Sequence, residues 1–269
     1  MTARKIAVAG HFGELLQGRL GSDGPVALVT LPCPTLRAGA CRLPGPFALH
    51  QPGPHVLTRS GAARFLRSLG QDPSGRFVLR LDMPAGGGAG ASTAARVALA
   101  RAAGCGDAAD IVRACLTSEG AVDPLMFPAP GRLLWASREG IVLRRLPAPP
   151  RMEVLGGFLG PMRRTDPADL RFPDIADLAA AWPVACARLA AAAALASASA
   201  RRTLALRGPE ADPTEALARE TGALGFVIAH TGAARGLIFA PGTVPEMAPS
   251  ALREAGFRHI LRFRTGGEG

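Results

Sequence analysis

The chain has no tyrosine and only one lysine, Lys5, so every other basic residue is arginine. It has no CxxC pair, and its five cysteines (Cys33, Cys41, Cys105, Cys115 and Cys186) are scattered and odd in number. No Cys/His cluster has the spacing of a zinc site, so they read as reduced core residues of a cytoplasmic protein. Long apolar runs are missing too. After Met1-Thr2-Ala3-Arg4-Lys5 the stretch Ile6 to Ala9 is too short for a signal-peptide core. Val184 to Ala200 is interrupted by Arg188 and is mostly Ala and Ser, which argues for a buried helix over a membrane span. Charged residues are few, at 19%.

What the chain does have is hydrophobic content for a full core, 48% over 269 residues. That content excludes a charge-rich disordered polymer. Its 33 glycines and 24 prolines follow no collagen period. The net charge of +10 comes with a general excess of Arg, Ala, Gly and Pro. It reads as base bias in the coding sequence rather than as a nucleic-acid footprint.

Short strands and helices alternate without clean βαβ units. Strands are expected at Ile6–Ala9, Val26–Leu31 (ending at Pro32), Arg76–Asp82, 133–136, 141–146, 152–159, Phe226–Ala229, Leu237–Ala240 and His259–Phe263. Helices are expected at Gly61–Leu69, from Ser92 to Ala103 with Gly104 as its stop, at Ala108–Leu116 behind Asp107, and at Pro249–Ala255. A long one, kinked at Pro183, is expected over Ile175–Ala200. Asp212-Pro213-Thr214-Glu215 reads as an N-cap, an N1 proline and a capping-box acid. Leu146-Pro147-Ala148-Pro149-Pro150 is the expected junction between lobes 1–147 and 151–269. The class is α+β in two lobes.

Met83-Pro84-Ala85-Gly86-Gly87-Gly88-Ala89-Gly90-Ala91-Ser92-Thr93 carries the most chemistry. Glycines at this density let a backbone approach a ligand and turn its N–H groups inward. The following helix points its positive end into the same space, with the hydroxyls of Ser92 and Thr93 beside it. This suits a polyphosphate; the plain alternative is a flexible turn with Ser92 as N-cap. A Walker A loop is excluded, because Ala91 stands where its lysine should be. The dinucleotide fingerprint lacks its second strand, and no kinase H-R-D or D-F-G follows.

Pro84 to Thr93 with its Ala-rich helix resembles the second motif of the GHMP kinases, most closely the propanediol-utilisation type, the L-threonine kinases of cobalamin biosynthesis. Gly13-Glu14-Leu15-Leu16-Gln17-Gly18 is similar to that subfamily's G-E-L-[IVL]-Q-G signature. Glu119 to Phe127, with Asp123, resembles its acidic E-P-T-D-S-T-x-F stretch. Phe226 to Ile238, with Ala229-His230-Thr231-Gly232, resembles its A-H-S-G-x-x-x-G-L motif. The order of the four is the specific signal. Departures are His11-Phe12 where proline, small residues and cysteine are usual, Ala91 in place of a first serine, and Gly87 where lysine often stands. Gly120-Ala121-Val122 also makes the acidic stretch one residue longer.

The resemblance implies a ribosomal S5-like N-lobe, a ferredoxin-like C-lobe, and ATP with Mg2+ in the cleft between them. It implies transfer to a small alcohol or acid, L-threonine first, with homoserine or another hydroxy metabolite as alternative. It implies that Pro84, Ala85, Gly86, Gly87, Gly88, Ala89, Gly90, Ala91, Ser92 and Thr93 hold the phosphates, with Ser92 and Thr93 near the metal. Asp123 becomes the general-base candidate. Glu14 and Gln17 would stand near the entrance, Glu14 orienting substrate or metal. His230, Thr231 and Gly232 would close the substrate side. Taken singly, Asp123 reads as an Asp-Pro turn, Glu14 as a cap or ion pair, Gln17 as a backbone ligand and His230 as a core histidine. His11, His50, His55 and His259 have no partner nameable from sequence. A non-catalytic ATP-binding protein and an RNA-binding module remain as other readings; the expected partner is a small molecule, with neither nucleic acid nor membrane.

Overall fold

The computed structural model describes residues 5–267; Met1 to Arg4, part of the N-terminal reading, lie outside the described residues. Ten strands form one curled sheet. Its order is β10 (Arg258–Thr265), β7 (Met152–Phe158), β9 (Ala234–Phe239), β8 (Gly225–Ile228), β1 (Ile6–Arg19), β2 (Val26–Leu43), β4 (Arg76–Leu81) and β3 (Ala48–His50). The hairpin of β5 (Leu133–Ala136) and β6 (Ile141–Arg145) pairs onto the far part of β2. The expected junction, 146–150, lies between β6 and β7. Within the sheet the halves join where Glu14 on β1 faces Ile228 on β8, and Arg19 also bridges Asp174.

β1 and β2 are far longer than the sequence suggests. Prolines 32 and 34 do not end β2, because the pairing slips around them: Ala9 faces Arg37, yet Gly10 faces Cys33. Pro34-Thr35-Leu36 therefore loops out, and proline's missing donor costs no ladder bond there. Further slips flank Glu14. Such bulges re-aim side chains, and here they place His11 and Glu14 toward the same cavity.

Among the described residues, six of the seven α-helices are α1 (Arg59–Ser68), α2 (Ala91–Ala103), α3 (Ala108–Glu119), α4 (Ala176–Ala185), α5 (Leu189–Arg207) and α7 (Ala248–Glu254). α2 and α5 pack on β1, so that strand is buried beyond Gly10 and loses its polar face. Ala94, Ala95, Ala98 and Ala100 let α2 lie close to the sheet, and Gly104 (φ 104°) ends it in the left-handed region. The main core runs through both halves. In it Phe12 packs edge-on against Phe158 and Phe263, centroids 5.5 and 5.7 Å apart. A smaller core of Leu155, Phe226, Leu237, Phe239 and Leu252 lies on the C-terminal side.

Several sequence expectations change. The helix expected over Ile175–Ala200 is two helices, because the chain turns at Cys186–Arg188 just after Pro183. α6 (Thr214–Glu220) starts one residue later than expected: its N-cap is Pro213, not Asp212, and the Asp212 carboxylate, one residue before it, accepts from the Thr214 N–H at 3.0 Å. Glu215, however, does not close a capping box; it accepts from Arg201 at 2.8 Å, because that cation faces it from α5. All five cysteines are free, and Cys41 is half-buried rather than in the core. Among the described residues, no helix is long and apolar enough to cross a membrane.

Candidate active site

The glycine loop leaves β4 and enters α2. Gly86, Gly88 and Gly90 have φ of 75°, 76° and 70°, where a side chain strains the backbone. Its carbonyls are turned away from the cavity and tied down. Gly86 O accepts from Arg163 N at 2.9 Å, Gly87 O from Ala234 N at 2.8 Å, and Gly88 O and Ala89 O from Gly13 N and His11 N at 3.2 Å. β1 and the C-terminal half thus hold the loop from two sides. Contact is so close that a Cβ on Gly232 would sit 2.3 Å from Gly88 N.

The N-cap of α2 is Gly90, not Ser92, and no side chain caps it. The first-turn N–H groups therefore keep their donors, and the helix's positive end opens onto a cavity of about 420 Å³. Ala85, Gly86, Gly88, Gly90, Ala91, Ser92 and Thr93 line it. Pro84, Gly87 and Ala89 stand back: Gly87 N donates to Pro84 O at 3.3 Å, and Ala89 is buried.

The two hydroxyls face different carboxylates. Ser92 donates to Glu119, and Arg96 bridges the pair, 2.6 Å from Ser92 Oγ and 2.9 Å from Glu119 Oε1. Thr93 donates to Asp123 Oδ2 at 3.2 Å. Asp123 does sit in a turn, its carbonyl accepting from Leu125 N at 2.9 Å, and its carboxylate lines the cavity as well.

His11 fills the space between two acids. Its Nδ1 lies 3.3 Å from Glu14 Oε1 and its Nε2 3.4 Å from Asp123 Oδ2. Burial disfavours charge on the imidazole, but the two carboxylates outweigh it and raise its pKa to about 9. Burial pushes the Glu14 carboxyl up to about 8, against the pull of His11. For Asp123 burial acts the same way, yet His11, Thr93 and Arg138 together hold its pKa below the ordinary value. Asp123 is thus the ionised carboxylate of the trio, facing a protonated His11.

Glu14 and Gln17 are not at an entrance. They are 7% and 2% exposed and form the cavity floor, because β1 is the sheet's central strand. Gln17 Nε2 donates to Ile228 O at 3.0 Å; Gln17 Oε1 and Glu14 Oε2 have no hydrogen-bond partner. His230 stacks on Phe172 at 3.6 Å, almost parallel. Burial and the nearby Arg207 push its pKa down to about 3, so the ring is neutral. Thr231 meets Thr165, hydroxyl to hydroxyl, at 3.1 Å, and Gly232 lies against the glycine loop. All three line the cavity.

His11, Arg96, Glu119 and Arg138 were missed as site residues. Arg96 follows Ser92 by one helical turn, a spacing that makes contact readable from sequence. Glu119 opens the acidic stretch that drew attention to Asp123. His11 stands in the altered loop just before the Gly13–Gly18 signature, whereas Arg138 carries no local signal. The oxygen donors Ser92, Thr93, Glu119 and Asp123 suit a hard divalent cation, whereas a protonated His11 does not.

No known family profile matches the sequence, and neither does any curated protein sequence. Solved structures do resemble the fold. Mevalonate kinase of L. major, in complex with R-mevalonate, superposes with a TM-score of 0.67 at 15% identity over 98% of this chain and 96% of that one. Phosphomevalonate kinase of Streptococcus pneumoniae gives 0.68 at 11% identity over 98% and 100%. A putative homoserine kinase of Listeria monocytogenes gives 0.60 at 16% identity over 98% and 99%. The chain therefore has the α+β fold of the GHMP kinases.

Proposed function

We propose that the protein transfers the γ-phosphoryl group of ATP to the hydroxyl of a small molecule, with L-threonine as the acceptor and O-phospho-L-threonine as the product for cobalamin biosynthesis. The observation that carries this reading is a convergence on one cavity. The uncapped end of α2 and its glycine loop stand beside the Asp123 carboxylate, 3.2 Å from the Thr93 hydroxyl. One side is built for phosphate oxygens, the other for a hydroxyl proton.

In this reading the loop N–H groups and the helix end hold the ATP phosphates. The acceptor oxygen forms a bond to the γ-phosphorus as the bond to the β,γ-bridging oxygen breaks and ADP leaves. The acceptor's proton passes to Asp123, from which solvent removes it. Asp123 is a weak base, because His11 holds its pKa down. That suits a loose transition state, in which orientation matters more than early deprotonation. Ser92 and Thr93, with Glu119 beside Ser92, would hold Mg2+, which would neutralise phosphate charge. The kinases of similar fold that are named for mevalonate and homoserine support a hydroxyl acceptor.

The buried His11 between Glu14 and Asp123 favours one second reading, a hydroxy metabolite other than threonine, since it reshapes the acceptor side. ATP consumption across a panel of hydroxylated amino acids, sugars and diols decides between them. ATP binding without turnover of any compound removes the kinase reading.

A further inference from the structure

His11, Glu14 and Asp123 form a second set of cation-binding side chains in the cavity, apart from Ser92 and Glu119. One donor atom from each of the three lies within 4.8 Å of the other two. Their contacts are loose for ion pairs. The His11 nitrogens stand 3.3 Å from Glu14 Oε1 and 3.4 Å from Asp123 Oδ2, whereas a charge-assisted hydrogen bond closes to about 2.7–2.9 Å. Two donors on one tetrahedral first-row ion, at about 2.0–2.2 Å each, stand about 3.3–3.6 Å apart. The separation of His11 Nε2 from Asp123 Oδ2 falls in that range. Glu14 adds an independent sign: its Oε2 is buried without a hydrogen-bond partner, a costly state that a bound cation would relieve.

The surroundings also suit a metal ligand. His11 Nδ1 lies 3.2 Å from Gly13 O, so its N–H points to a backbone carbonyl and leaves Nε2 for the ion. Thr93 donates to Asp123 Oδ2 at 3.2 Å and fixes that carboxylate. A Cβ on Gly90 would lie 2.9 Å from His11 Nε2, so glycine keeps the approach to this nitrogen clear. The Asp123 side chain is 26% exposed and opens the site to the cavity. A dication displaces the His11 proton, and two neighbouring carboxylates favour the higher charge. An imidazole among the donors selects Zn2+ or a similar borderline ion over Mg2+, which takes oxygen.

We propose that His11 Nε2, Glu14 and Asp123 bind a divalent transition-metal ion of the Zn2+ class, and that this ion withdraws Asp123 from the acceptor hydroxyl and halts turnover. The binding stands without the kinase reading; the inhibition rests on it.

The test is calorimetry of Zn2+ on metal-stripped wild type, His11→Gln, Glu14→Gln and Glu119→Gln. Wild type should take up one Zn2+ per chain. His11→Gln and Glu14→Gln should each weaken it by more than about 100-fold, beyond the 10- to 100-fold cost of losing an outer-shell partner. Glu119→Gln, on the Mg2+ side, should bind as wild type does, and so should Cys41→Ser and His55→Gln. X-ray absorption at the zinc edge of wild type needs no folded variant. It should show imidazole nitrogen and carboxylate oxygen at about 2.0–2.2 Å, with no sulfur at about 2.3 Å. A sulfur shell, full affinity in His11→Gln, or no binding to wild type at micromolar Zn2+ overturns the site. In the kinase assay at saturating MgATP, Zn2+ should inhibit wild type, and further Mg2+ should not relieve it. His11→Gln should need more than about 100-fold more Zn2+ for the same fractional loss. Relief by Mg2+ overturns the separate inhibitory role. Zn2+ bound at His11 in a protein that turns over no acceptor sinks the kinase reading and leaves the metal site standing. Turnover without any Zn2+ binding does the reverse.

Discussion

The imidazole Nε2 of His11 lies 3.4 Å from the Asp123 carboxylate, joining β1 to the turn that follows α3. The pair is closed on its other side by Glu14, 3.3 Å from Nδ1. In the kinase reading Asp123 takes the hydroxyl proton, so its charge and position control the chemical step. Asp123→Asn keeps the shape and removes the base. Its kcat is expected to fall by about 10²- to 10⁴-fold, the usual worth of a positioned base, while ATP affinity changes little. Steady-state rates alongside nucleotide titration check this; equal activity removes the assignment.

The His11 trio also has a stability signature. His11 is raised from 6.5 to about 9, and Glu14 from 4.5 to about 8. Both bind protons more tightly in the folded state than in the unfolded state. The His11 contribution is therefore complete below pH 6.5 and is lost as pH rises through about 9. Glu14 destabilises the fold as pH rises from 4.5 to about 8, its unfolded and folded pKa values, so the two windows overlap from 6.5 to about 8. Thermal melts of wild type should lose several degrees between pH 6.5 and 9, and His11→Gln should flatten that slope. A wild-type melting temperature that rises over this interval contradicts the account.

Gly88 tests the loop. Its φ is 76°, and a Cβ there would lie 2.2 Å from the Ala229 Cβ, so Gly88→Ala meets both strain and collision. A loss of about 1–3 kcal/mol in stability and weaker ATP binding are expected. Gly106 has ordinary backbone and open space around it. Gly106→Ala should stay within about 0.5 kcal/mol of wild type. Denaturant melts of the two variants give the comparison, and equal losses would count against a tightly packed loop.

Glu119 tests the cation side. It accepts from Ser92 and pairs with Arg96 at 2.9 Å. Glu119→Gln should raise the Mg2+ concentration needed for half-maximal rate by about 10- to 100-fold, the effect of losing a metal's supporting carboxylate. Rates titrated with Mg2+ at saturating ATP show it.

Much of the fold was legible where one physical signal dominated. Phe77, Leu79 and Leu81 alternate and are buried on β4, and the glycine loop announces α2 because few other sequences take three positive φ values in five residues. Legibility failed where distant residues decide. β2 runs through Pro32 and Pro34 because it pairs with β1 on both sides of a bulge that loops Pro34 out. Glu215 turns from its expected cap to Arg201 on α5. His11 and Arg138 become site residues only when β1, the β5–β6 turn and the Asp123 turn meet around one cavity. The Gly13–Gly18 signature beside His11 points to that cavity, but it does not show that the imidazole stands between Glu14 and Asp123.

The most direct test of phosphoryl transfer at this cavity is phosphorus NMR of the protein with ATP, Mg2+ and L-threonine, run beside Asp123→Asn. The account predicts a growing phosphomonoester signal matched by ADP, nearly absent in the variant. ATP that stays intact while bound to wild type, or an equal signal from Asp123→Asn, would contradict it.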